Sequence, residues 1–139
     1  MRRRGDSLRG RPMISTVRLI LLLEVASFAT AASIHFGALL HGYAHLKAAV
    51  AESVIACILL AGLGAIWIRP ASVLQAGLIA QGLALAGTVV GAYTILIGVG
   101  PRTKPDIAYH IVILAVLVCG LLVTRQAVGA GALLPGGPQ

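Results

Sequence analysis

Four long apolar runs, separated by short polar breaks, dominate the chain. The first extends from about Ile14 to Leu40 and is interrupted by Arg18, Glu24 and His35. The segment His41-Gly42-Tyr43-Ala44-His45 follows, with Gly42 as the expected helix stop. A second run covers Leu46 to Ile68 and ends at Trp67 and Arg69, a pair suited to a membrane interface. Pro70 fits the first turn of a third helix, expected from about Ala71 to Val99. Gly100-Pro101-Arg102-Thr103-Lys104-Pro105-Asp106 reads as a loop, and the fourth run spans Ile107 to Val123. At about 1.5 Å per residue, roughly 20 residues cross the hydrocarbon core of a bilayer. The pattern therefore predicts an all-α integral membrane protein: four transmembrane helices joined by short loops, which force an up-down-up-down bundle.

Composition agrees. Of the 139 residues 58% are hydrophobic and 11% charged, with a mean hydropathy of +0.96, whereas a soluble domain carries about 25% charged residues. The 17 glycines and the 4% aromatic content suit helices that approach closely in lipid. The expected partners are the lipid bilayer and either other membrane subunits or further copies of the chain. Gly87-Thr88-Val89-Val90-Gly91, extended backwards by Ala80 and Ala84, marks the third helix as a close-packing face, expected inside the bundle rather than at a dimer interface.

The net charge of +7 does not point to nucleic acid, because of where the charge lies. Arg2, Arg3, Arg4, Arg9, Arg11 and Arg18 precede or open the first run, the position of a topogenic signal. With the N-terminus inside, eight basic residues fall on the inner side and three (Lys47, Arg102, Lys104) on the outer. A bacterial-type inner membrane with both termini cytoplasmic is the expected setting. Residues 1–13 are expected to be a disordered basic tail, 14–128 the membrane domain and 129–139 a flexible Gly/Pro tail. Ala29-Thr30-Ala31 has the form of a signal cleavage site, but Glu24 interrupts the apolar stretch before it and the run continues to Leu40. Cys57 and Cys119 lie singly within apolar runs, with no disulfide or zinc spacing.

Ionisable residues within spanning segments are expensive and mark candidate sites. Converting sequence offset into depth places His35, Glu52, Tyr93 and His110 about 5 to 9 Å below the outer ends of the four helices. His41, His45 and Asp106 lie at the rim above them. His45 and Glu52 share a helix face, as do Asp106 and His110, and a carboxylate beside an imidazole fixes its tautomer. This layer could hold copper, iron or zinc, could ligate one haem b, or could exchange protons with a quinol. All four histidines belong to the outer half, so at most one haem site is expected. Plainer roles are also open: Asp106, after Pro105, can N-cap the fourth helix, and His41 can answer the dipole of the first.

Glu24 lies in the inner half of the first helix, with Gln75 and Gln81 at comparable depth on the third, which predicts a Glu-Gln hydrogen bond. Leu23-Glu24-Val25, in the first of four short helices, resembles the small multidrug resistance transporters over those three residues. That resemblance implies a proton-coupled acid at Glu24. The rest of the chain departs from those transporters, which are rich in aromatic residues around the drug site, whereas this chain has one Trp. Phosphate-binding loops, HExxH, GxSxG and EF-hand patterns are absent from the sequence. The first expectation is a redox or metal-, haem- or quinol-binding membrane subunit or accessory protein. A small transporter using Glu24 and a purely structural subunit are the alternatives.

Overall fold

The computed structural model describes residues 6–132, with side chains described for 13–126. It is all-helical, with α1 at Asp6–His35, α2 at Leu46–Ile68, α3 at Val73–Leu96 and α4 at Lys104–Ala132, and a 3-10 turn at Pro70–Ser72 leading into α3. Each helix is long and apolar enough to cross a membrane. Consecutive helices pack side by side and α4 returns against α1, closing a four-helix bundle. The expected tails lie outside the described residues at 1–5 and 133–139. Residues 6–13 and 129–132, also assigned to tails, instead continue α1 and α4.

The apolar residues divide between two solvents. Val17, Leu21 and Phe28 of α1 meet Leu59, Leu63 and Ile66 of α2, Ala80 and Ala84 of α3, and Ile113 and Leu117 of α4 in the core. Leu19, Leu22, Leu23, Leu60, Ile79, Leu83, Ile111 and Val112 point outward and are equally apolar. Helices apolar all round are the signature of a bundle whose outside faces lipid. Small residues then set the spacing. A Cβ on Gly62 would stand 2.5 Å from the Cβ of Ala80, so α2 and α3 touch nearly backbone to backbone. Gly87 faces Ile55 of α2 and Gly91 faces His110 of α4, which puts the small-residue motif of α3 inside the bundle, as expected.

Two helix ends differ from the sequence expectation, for one physical reason. α1 stops at His35, not Leu40, because Gly37 takes φ of +77°. Gly37 N–H then donates to Ile34 O and Ala38 N–H to Ser33 O, a Schellman cap. α3 stops at Leu96, not Val99, by the same device at Gly98, with φ of +79°. Gly42, also at positive φ, shapes the α1–α2 loop without ending a helix. α4 starts at Lys104, three residues before the expected Ile107. At the opposite end of the bundle, Arg18 donates to the Ile66 carbonyl at 2.9 Å and lies over the Trp67 ring at 5.2 Å, tying α1 to the end of α2.

Candidate functional site

The end of the bundle bearing the α1–α2 and α3–α4 loops, here its upper end, holds a buried polar cluster. The Schellman cap leaves His35 as the last residue of α1, its ring turned into the bundle. Nδ1 lies 2.7 Å from Glu52 Oε2 on α2, and Nε2 lies 3.2 Å from Asp106 Oδ1 on α4. All three residues are buried. Asp106 is held in turn by Thr103, whose backbone N–H donates to Oδ2 at 3.1 Å and whose hydroxyl also bonds Oδ2. Thr103-Lys104-Pro105-Asp106 is thus a capping box: Thr103 is the N-cap and Asp106 sits three residues on, rather than being the N-cap itself. One carboxylate oxygen serves the helix end and the other is left for His35.

The arrangement fixes a minimum proton count. Each of the two N···O links needs a proton, since a ring nitrogen and a carboxylate oxygen without one repel. Two carboxylates, one imidazole and those two linking protons carry one net negative charge, and a third proton makes the cluster neutral. His35 therefore sits between two acids as a group that can receive a proton at one nitrogen and give one up at the other.

Two cavities flank the cluster. One of about 180 Å³ lies among α2, α3 and α4 and is lined by Glu52, His45, Thr88, Thr94, Tyr109 and His110 among others. The other, of about 490 Å³, runs between α1 and α4 past Ser27, Thr30, His35, Asp106 and Tyr109. Its walls include Leu23 and Leu40, both exposed, so this groove opens sideways to the lipid-facing surface. Glu52 belongs to the first space, His35 and Asp106 to the second. The His35 ring is the bridge between them.

Of the residues expected in the polar layer, His35, Glu52 and Asp106 meet directly, and His110 joins Glu52 on the smaller cavity. His110 Nδ1 bonds the Asp106 carbonyl oxygen at 2.8 Å. His45 caps α2, its Nδ1 accepting from Ala48 N–H at 3.2 Å, and its ring meets that of His35 edge-on. His41 is exposed on the loop, and Tyr93, at 60% exposure, faces outward and takes no part. A metal shell does not assemble: among the described residues no group of three His, Cys, Asp or Glu side chains is placed to hold an ion. The physical reason is that both His35 nitrogens are spent on carboxylates, which leaves that ring no lone pair for copper, iron, zinc or haem iron.

Sequence reasoning did not single out Tyr109, Thr103, Ser27 or Thr124. The Thr103-to-Asp106 spacing could have revealed the capping box. Tyr109 lines both cavities, with its ring edge-on to Phe28 at 6.3 Å and its hydroxyl beside Ser27.

A second polar cluster lies in the lower half. The Gln81 amide donates to both Glu24 carboxyl oxygens, at 3.1 and 3.2 Å, and Thr124 donates to the Gln81 carbonyl oxygen at 2.8 Å. All three are completely buried and join α1, α3 and α4. The expected Glu-Gln bond is present with Gln81, whereas Gln75 is exposed. Gly120 makes room for it, since a Cβ there would reach 2.5 Å from Glu24 Oε1. Glu24 lines neither cavity beside the upper cluster. Comparison of the chain with protein-family models, curated proteins and solved structures finds no match.

Proposed function

We propose that the protein is a redox-linked membrane subunit that binds a lipid-soluble ligand of the quinol class in the groove between α1 and α4. It exchanges protons with that ligand through Asp106, His35 and Glu52. The observation that carries this reading is the His35 ring, bonded through both nitrogens to acids that belong to different cavities. The groove suits such a ligand. Its apolar walls open toward lipid, and beside His35 its polar floor of Asp106, Ser27 and Tyr109 offers hydrogen-bonding groups to a hydroxylic ring. Oxidation of a quinol releases two protons and two electrons. The residues here account for the protons, and the electrons pass to a redox-active partner subunit. The excess of basic residues toward the opposite end supports an inner membrane with both termini cytoplasmic and the site in the outer leaflet.

A photoreactive short-chain quinone added to the protein in lipid nanodiscs, followed by mass mapping, tests the reading. Labelling on the α1 segment 26–34 or at Tyr109, competed away by unmodified quinone, is expected. Labelling confined to other outward surfaces, or unaffected by competitor, overturns the ligand assignment.

A further inference from the structure

The smaller cavity has chemistry of its own, and it centres on His110. The Asp106 carbonyl oxygen, 2.8 Å from Nδ1, can only accept, so Nδ1 carries a hydrogen. In the neutral ring Nε2 is then a bare acceptor. This nitrogen points to α3 at Gly91, where a Cβ would stand 3.1 Å away. Glycine at that position leaves the nitrogen accessible. Glu52 lines the same cavity. The space of about 180 Å³ is large enough to admit water. Its wall continues past His45 and Lys47 to Gly100 and Pro101, which belong to the upper loops.

We propose that His110 is the exit base of the upper site: it receives at Nε2 the proton leaving Glu52 and releases it to water at the upper rim. The Glu52 O–H bond breaks and the His110 Nε2–H bond forms through water in the cavity, which accepts one proton and passes on another. The imidazolium then gives that same proton to water, and the neutral ring is restored. The Asp106 carbonyl accepts from Nδ1–H before and after, so the ring needs no reorientation between the two states. The groups facing His110 are Glu52 of α2, the rim residues His45 and Lys47, and its neighbours Tyr109 and Asp106 on α4; α3 presents only Gly91 and uncharged side chains to it. The inference rests on the triad acting as a proton relay, but not on which ligand supplies the proton.

Hydrogen–deuterium exchange of the His35 ring N–H groups, followed by NMR on the isotope-labelled full chain in nanodiscs, reads the exit without any ligand. His110→Phe keeps an aromatic ring in the cavity and removes the base. It should slow exchange at His35 Nδ1 on the order of 100-fold, the lower range of a positioned base. His110→Gln, whose amide can still donate to the Asp106 carbonyl, should slow it equally and serves if the Phe variant loses the His35 signals through misfolding. Exchange at the wild-type rate in either folded variant overturns the proposal. Slowed exchange alongside failed quinone labelling would leave the exit base standing and remove only the ligand; labelling with unchanged exchange would do the reverse.

Discussion

Gln81→Leu is the substitution whose cost can best be worked out from the structure. Leucine replaces the amide with an apolar group of similar size, so packing between α1, α3 and α4 is nearly kept and the hydrogen bonds are lost. The Gln81–Glu24 and Thr124–Gln81 interactions both disappear. Side-chain hydrogen bonds within a bilayer average about 0.6 kcal/mol and reach about 1.7. The Thr124 hydroxyl can turn to the carbonyl one helical turn back and recover much of its share. Glu24 has no such substitute, because its surroundings are fully buried and Gln81 is its hydrogen-bond donor. A buried polar group left without a partner costs about 1–3 kcal/mol, so the expected loss is about 2 kcal/mol, nearly all of it from the stranded carboxyl. Reversible unfolding from mixed micelles into SDS, followed by circular dichroism, measures it. Glu24→Gln keeps shape and one of the two acceptors for Gln81 and should cost about 1 kcal/mol, less than Gln81→Leu, because one hydrogen bond survives. A Gln81→Leu protein as stable as wild type would refute the reasoning, since the cluster would then hold nothing together. A loss of about 3–5 kcal/mol would mean that a charge had been stranded rather than a neutral bond broken.

Gly62→Ala should destabilise by about 1–3 kcal/mol in the same assay, because its methyl must displace Ala80 across the closest helix approach; an unchanged midpoint would show that α2 and α3 do not meet there. Thr103→Val removes the hydroxyl of the capping box while keeping its shape, and should cost about 1 kcal/mol. It should also loosen Asp106 from His35, seen as faster exchange of the His35 Nε2 hydrogen, whereas an unmoved Nε2 rate would separate the cap from the site.

Hydropathy made the four spans legible because lipid demands long uninterrupted apolar helices, and counting residues from their ends found the depth of the upper cluster. Direction was not legible. In a soluble bundle the polar face shows which side is out, but here Leu22 and Leu23 face outward and Leu21 inward with the same chemistry. Tyr93 consequently looked like a member of the layer and His35 like a metal ligand. Helix ends were misplaced where a glycine lay inside an apolar run, as Gly37 and Gly98 do, because hydropathy does not register a change in the sign of φ. The Glu24–Gln81 bond was readable because buried amides and acids in lipid have few partners to choose from, whereas Thr124 looked like any small residue near a helix end.

The relay through His35 is tested most directly by infrared difference spectroscopy on the quinone-loaded protein as the bound quinone is reduced and reoxidised. The account predicts a carboxylic-acid carbonyl difference band that follows quinone redox state and is absent both in Glu52→Gln, where the acid is gone, and in His35→Gln, where the acid remains but no longer responds. A redox cycle of bound quinone that leaves the carboxyl region identical in wild type and Glu52→Gln would contradict it.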